Sequence, residues 1–356
     1  MRHGGNIEKI KRQEGLSDVP LIDFSANINP LGLPNMFRYI ISHHLESLEH
    51  YPDYEYLALK EALAEHYQLD STWITVGNGA EETIHNYCAS QSRKIVIIEP
   101  TFSAYRLAAE KAQSQIFSYV LKAENDFQLD TAAFTAWLDR QSLQGATVFL
   151  CRPNNPTAVL YSYEDMVDLV DELNKRRIRL VLDESFIEFT EEESLFPVLS
   201  DYPNLLILRS LTKFYAMPGL RLGFASSSDQ NLIHALEEYR NDWNINSFAD
   251  LCGREIPKIG DYRQKSLDFI KKERERVCQR IEQIEKIRLV HCAANFYLIQ
   301  TDIPDFYRRM LDRGILIRTC DNFIGMEGGY FRLAVRTKEE NDLLLATMEE
   351  VARWKS

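Results

Sequence analysis

Between about residue 70 and residue 226, short apolar runs alternate with helix-length stretches, and this alternation limits the available folds more than any other feature. The runs at 72–77, 94–99, 146–151, 179–183, 204–209 and 221–225 are strand candidates. Between them lie helical patterns such as 162–176, where Met166, Leu169 and Leu173 recur at spacings of three and four. Strands alternating with helices make βαβ units, so the pattern predicts a mostly parallel sheet with helices on both faces. After residue 246 the pattern changes. A long charged helix over 262–287 precedes a strand-like stretch at 288–300, a helix at 304–313, strands near 315–318 and 330–335, and a final helix from Lys338. The expected organisation is an N-terminal arm (1–45, part of a small domain), a large domain (46–245) and an α+β small domain (246–356). The stretch 27–34, with its prolines and glycine, reads as a loop.

In open α/β sheets, ligands bind beyond the carboxyl ends of the strands. The strand ends here are Gly77-Asn-Gly-Ala-Glu81, Pro100-Thr-Phe102, Arg152-Pro-Asn-Asn-Pro-Thr157, Asp183-Glu-Ser-Phe186 and Ser210-Leu-Thr-Lys213. Each has an ordinary reading taken singly: a solvated lysine, a helix-capping aspartate, an Asn-Pro turn, a core phenylalanine. Together they bring a lysine, an aspartate, an amide, an aromatic ring and a helix N-terminus to one edge of one sheet. Gly79, Ala80 and Glu81, opening a helix after a strand, offer backbone amides to an anion.

Ser210-Leu-Thr-Lys213 followed by Pro218-Gly-Leu-Arg221-Leu-Gly223, with Asn154-Asn-Pro-Thr157 and Leu182-Asp-Glu184 ahead of it, resembles the ordered signature of aspartate-aminotransferase-like enzymes that use pyridoxal-5′-phosphate (PLP). The resemblance runs nearly the full length and implies the type I PLP-transferase fold. It implies Lys213 as the cofactor's Schiff-base lysine, aided in losing its proton by burial, and Asp183 as partner of the pyridine nitrogen. It further implies Asn155 on the ring oxygen, Phe102 on the ring face, and Ser210 and Arg221 on the phosphate with Gly79, Ala80 and Glu81. Tyr51 in His50-Tyr-Pro-Asp53 resembles a tyrosine that reaches that phosphate across a homodimer interface. Ala158 stands where a glycine commonly follows Asn-Pro-Thr; at positive φ, alanine costs about 1 kcal/mol.

Two groups of the family are near: histidinol-phosphate aminotransferases and the L-threonine O-3-phosphate decarboxylases of cobalamin synthesis. The start His3-Gly-Gly-Asn-Ile7, the segment Asp23-Phe-Ser-Ala-Asn-Ile-Asn-Pro-Leu-Gly32, Phe186 in place of a tyrosine, and Arg336 closing Arg332-Leu-Ala-Val-Arg336 lean toward the decarboxylases. By the same resemblance Arg332 clamps the substrate carboxylate, while Arg318, with His3 and Asn27, reads the substrate phosphate. Asn155 and Arg336 complete the expected substrate set. An aminotransferase of the histidinol-phosphate type and a decarboxylase of O-phospho-L-serine stay open as alternatives, because residue identities do not fix which Cα bond is broken. A catalytically silent PLP-binding protein is disfavoured by the intact lysine, aspartate and arginine set.

Charge and cysteines narrow the partners. A net charge of −12 disfavours nucleic acid, yet a few converging arginines still serve a small anion. The six cysteines are scattered without a C-x-x-C pair, which argues against both a metal site and a disulfide framework and reads as idle thiols. With no membrane-length apolar run and no signal-like start, a cytoplasmic protein is expected.

Overall fold

The computed structural model describes residues 4–16, 19–91 and 93–353. A helix Ile7–Glu14 leads into the two-residue strand β1 (Ile22–Asp23). The large sheet then uses β2 (Ile74–Asn78), β3 (Lys94–Glu99), β4 (Gln115–Val120), β5 (Thr147–Cys151), β6 (Arg179–Asp183), β7 (Leu205–Ser210) and β8 (Leu222–Ser226), in the spatial order β2-β8-β7-β6-β5-β3-β4. Neighbours pair in parallel from β4 to β7, whereas β8 runs antiparallel to both β7 and β2. That reversal has a consequence for the site. The carboxyl ends of β2, β3, β5, β6 and β7 share one edge, and the start of β8, just after Arg221, returns to the same edge.

The central strands are buried throughout, as expected where helices cover both faces. Helix Tyr163–Lys175 begins at Ser162, whose Oγ accepts from the Asp165 amide at 3.1 Å, and it buries Met166, Leu169, Val170 and Leu173. β4 escaped the sequence pattern. It is a half-exposed edge strand, and its polar Gln115 and Ser118 interrupt the apolar run. Ala158 does adopt φ +59°, so the alanine carries the expected left-handed strain.

The C-terminal third folds around β9 (Ile287–Ala293), β10 (Phe296–Thr301), β11 (Ile315–Leu316), β12 (Arg318–Thr319) and β13 (Tyr330–Ala334). An antiparallel sheet has the order β12-β13-β10-β9, while β11 pairs in parallel with β1. The stretch 288–300 is thus a hairpin, not one strand. Its turn, Ala294-Asn295, has no glycine to betray it; Ala294 itself takes φ +52°. The long helix ends at Ile281, six residues before β9. Backbone bonds from Phe24 to Leu316 and from Ala334 to Phe24, each 2.8 Å, weld the N-terminal segment to β11 and β13. Among the described residues no helix is long and apolar enough to cross a membrane.

Candidate active site

Lys213 sits in a one-turn helix, Leu211–Phe214, directly after β7. Its Nζ donates to Ser210 Oγ at 2.8 Å and lies 5.3 Å from the centre of the Phe186 ring. Burial lowers its pKa; the Asp183 carboxylate pulls upward and Arg221 pushes down again. The amine therefore holds its proton less firmly than a solvated lysine. Asp183, at the end of β6, is 4% exposed. Its two oxygens accept from Tyr105 Oη at 2.6 Å and from the Ser185 amide at 2.9 Å, which fixes the carboxylate's rotamer.

Lys213 and Asp183 line a cavity of about 260 Å³ together with Ala80, Glu81, Phe102, Asn155, Ser210 and Arg221. Ala80 and Glu81 open the helix Ala80–Gln91, so their amides belong to the first turn, which has no intrahelical acceptors. Gly79 departs from the expectation. Its amide already donates to the Arg221 carbonyl at 3.0 Å and is not free for an anion. What position 79 provides is close approach: a Cβ there would stand 2.6 Å from Arg221 Nη2, and φ is +73°. The donor set fits PLP, with cationic and amide donors at one end, a carboxylate at the other, an aromatic face and an amine of lowered pKa.

A second cavity of about 190 Å³ adjoins the first and shares Gly4, Phe102, Asn155, Phe186 and Lys213 with it. Asn27, Arg318, Phe323 and Arg332 supply its far wall. Arg332, on β13, is 6% exposed and spans both cavities' supports. Nη1 donates to Asn155 Oδ1, and Nη2 donates to the Ser25 carbonyl at 2.5 Å. Burial lowers its pKa to about 10. Arg318 is 1% exposed, held by the Thr319 carbonyl and Asn322 Oδ1 at 2.8 Å each, with its guanidinium 5.0 Å from the Phe323 ring centre. Burial also lowers its pKa. Asn27 is buried, yet both its side-chain oxygen and nitrogen lack a partner, as does Arg332 Nε. Buried polar groups are rarely left so, and both residues line the second cavity.

Three expected residues stand apart. Arg336 is not brought to the cavity: its guanidinium is engaged by Glu340 at 2.9 and 3.1 Å, across the start of the last helix. This is a correction, since Arg336 was expected among the substrate residues. Tyr51 is 78% exposed and stacks on Trp243 at 4.4 Å, outside the cavities of its own chain. His3 lies outside the described residues. Conversely, Tyr105 gave no sequence signal, and Gly4 was marked only as part of the start His3-Gly-Gly-Asn-Ile7. Tyr105 stacks on Phe149, stands edge-on to Phe102 and donates to Asp183, but reads as one more helical core residue. Gly4 borders both cavities; a Cβ there would meet the Ser25 carbonyl oxygen at 2.0 Å.

The family model for class I and II aminotransferases matches residues 19–348. A threonine-phosphate decarboxylase from Salmonella typhimurium is 36% identical, covering 98% of this chain and 96% of its own. A decarboxylase from Sulfurospirillum multivorans superposes with a TM-score of 0.88 at 27% identity, over 100% of this chain and 94% of its own. A histidinol-phosphate aminotransferase from Clostridium acetobutylicum superposes with a TM-score of 0.87 at 31% identity, over 93% and 99%.

Proposed function

The chain belongs to the class I and II aminotransferase family, and from that premise we propose that it is a PLP-dependent decarboxylase of L-threonine O-3-phosphate, acting in cobalamin biosynthesis and releasing CO₂ and (R)-1-aminopropan-2-ol O-phosphate. The observation that carries the substrate class is the second cavity. Two buried guanidiniums, Arg332 and Arg318, and an unpartnered Asn27 amide converge beside Lys213. Two cations taken out of water call for two anionic groups on one small molecule. A phosphorylated α-amino acid presents a carboxylate and a phosphate. The choice of decarboxylation rests on the 36% identical decarboxylase.

In this reading the Ala80 and Glu81 amides, Ser210 and Arg221 hold the cofactor phosphate, with Gly79 giving room for Arg221. Asp183 pairs with the ring nitrogen, steadied by Tyr105. Asn155, whose Oδ1 is taken by Arg332, turns its Nδ2 to the ring oxygen. Phe102 covers the ring face. When bound, PLP withdraws electrons from the substrate Cα. Arg332 orients the α-carboxylate for departure, and Arg318 with Asn27 and His3 holds the phosphate. After CO₂ leaves, Lys213 Nζ supplies the proton that replaces it on Cα. Phe186, having no hydroxyl, presents only a ring face to Lys213.

The working unit we propose is a homodimer in which Tyr51 completes the partner's phosphate site. Leu45, Leu48, Tyr51, Tyr54, Leu57 and Trp243 are between 44% and 78% exposed, a large apolar share for one region of surface. An active monomer in sedimentation at assay concentration would contradict it. The cytoplasm is the compartment this enzyme would occupy. The substrate is tested by comparing kcat/KM for O-phospho-L-threonine, O-phospho-L-serine, and histidinol phosphate with 2-oxoglutarate. Preference for O-phosphothreonine is expected; turnover of histidinol phosphate alone would replace the reading with an aminotransferase.

A further inference from the structure

O-phospho-L-threonine and O-phospho-L-serine differ by a methyl group bonded to the carbon that carries the phosphate ester. A site that holds the phosphate on Arg318 therefore also fixes where the methyl lies, beside that guanidinium. An apolar side chain that touches Arg318 and borders the same cavity is in position to meet the methyl.

Phe323 is such a side chain. Its ring centre lies 5.0 Å from the Arg318 guanidinium carbon, and the residue lines the second cavity while being 9% exposed. Phe102 and Phe186 line that cavity too, but both are shared with the first cavity and stand at its Lys213 end. Phe323 is not shared. The turn that carries it, between β12 and β13, is pinned along its length. The Cys320 amide donates to the Tyr330 carbonyl at 3.0 Å, the Phe323 amide to the Cys320 carbonyl at 2.9 Å, and the Met326 amide to the Phe323 carbonyl at 3.2 Å. Met326 is fully buried. Gly325, at φ +84°, sits against the last residue of β4, where a Cβ would stand 2.7 Å from Val120 Cγ1. Asn322, one residue before the ring, accepts from Arg318 Nη2 at 2.8 Å. One turn thus holds the phosphate arginine with one residue and presents an apolar face with the next.

We propose that Phe323 reads the substrate's β-methyl and sets the preference for O-phosphothreonine over O-phosphoserine, an inference that rests on the phosphorylated-amino-acid reading of the site. Arg318 makes no such distinction, because the phosphate is the same in both compounds. The ring gives the methyl an apolar neighbour in place of water, whereas the serine compound leaves that contact unmade. A methyl in a closed apolar pocket is worth about 10- to 200-fold, and a single wall supplies the lower end of that range. Ile28, beside Asn27 on the opposite segment, is the rival wall.

The test measures kcat/KM of the holoenzyme for both compounds by CO₂ release. Their ratio is taken on one preparation, so any inactive fraction cancels. The parent should favour O-phosphothreonine. Phe323→Ala should cut the ratio about 10-fold, and Phe323→Leu, which keeps an apolar side chain in the turn, should cut it by less. Asn322→Ala, at an exposed position, loosens Arg318 but leaves the ring, so both values should fall together with the ratio unchanged. The proposal is overturned by a parental ratio in Phe323→Ala, or by a ratio that falls as far in Asn322→Ala. It is equally overturned if Ile28→Ala is the change that removes the preference, or if the parent is indifferent to the methyl. A parent that decarboxylates neither compound rejects the underlying reading of the site, an outcome visible before any variant is made.

Discussion

Two cavities meet at Lys213, and they are built from different distances along the chain. The first takes its walls from strand ends of one sheet, so each residue's position follows from the register of β2, β3, β5, β6, β7 and β8. The second takes its walls from Ser25–Ile28 and from Arg318 and Arg332, about 300 residues apart, and depends on the short β1–β11 pairing to join them. No buried side-chain nitrogen or oxygen of the residues lining the first lacks a partner. The second holds the unpartnered Asn27 amide and Arg332 Nε. On the proposed reading, the difference teaches that the sheet sets the chemistry, whereas a joint between distant parts of the chain sets the choice of substrate.

That contrast can be broken from the first cavity with the largest effects. Lys213→Ala should abolish both turnover and the visible absorption of the PLP-loaded protein; an unchanged band would remove Lys213 from the site. Asp183→Asn should leave PLP bound while turnover falls by orders of magnitude, because the ring nitrogen loses its charged partner. Near-parental turnover would mean that Asp183 serves the fold alone.

The second cavity should respond differently. Arg318→Ala is expected to raise KM for O-phosphothreonine about 10- to 100-fold, the scale of about 1.5–3 kcal/mol for charge-assisted contacts, while threonine itself is little affected. PLP absorbance should stay as in the parent. Equal losses for both substrates would show that Arg318 does not read the phosphate. The smallest effect is expected from Tyr105→Phe. The Ser185 amide still holds Asp183, so about 1 kcal/mol, or about fivefold in turnover, is at stake. A loss as large as that of Asp183→Asn would make Tyr105 a full partner of the reaction and blur the contrast between fixed and adjustable walls.

The same contrast explains what could be read from residues alone. Lys213, Asp183, Asn155, Ser210 and Arg221 sit in short motifs at strand ends, where an apolar run meets polar residues. Their grouping follows once the strands are seen. Tyr105 carries no such mark, because a buried tyrosine on a helix differs from its neighbours only by the hydroxyl that finds Asp183. Gly79 was legible as a helix start but not as a space for Arg221, since its amide bond to the Arg221 carbonyl is a long-range contact. Arg336 was misplaced for the converse reason. It lies on the continuation of β13, yet Glu340, four residues on, captures the guanidinium locally.

The central claim is that this site breaks the bond from Cα to the carboxylate and keeps the amine. Carbon NMR of the holoenzyme turning over O-phospho-L-threonine labelled with ¹³C at C1 tests it directly. The account predicts that the label leaves as CO₂ and bicarbonate while a phosphorylated amine accumulates, with no 2-oxo acid needed. Label retained in a 2-oxo acid, formed only when an amino acceptor such as 2-oxoglutarate is supplied, would contradict it.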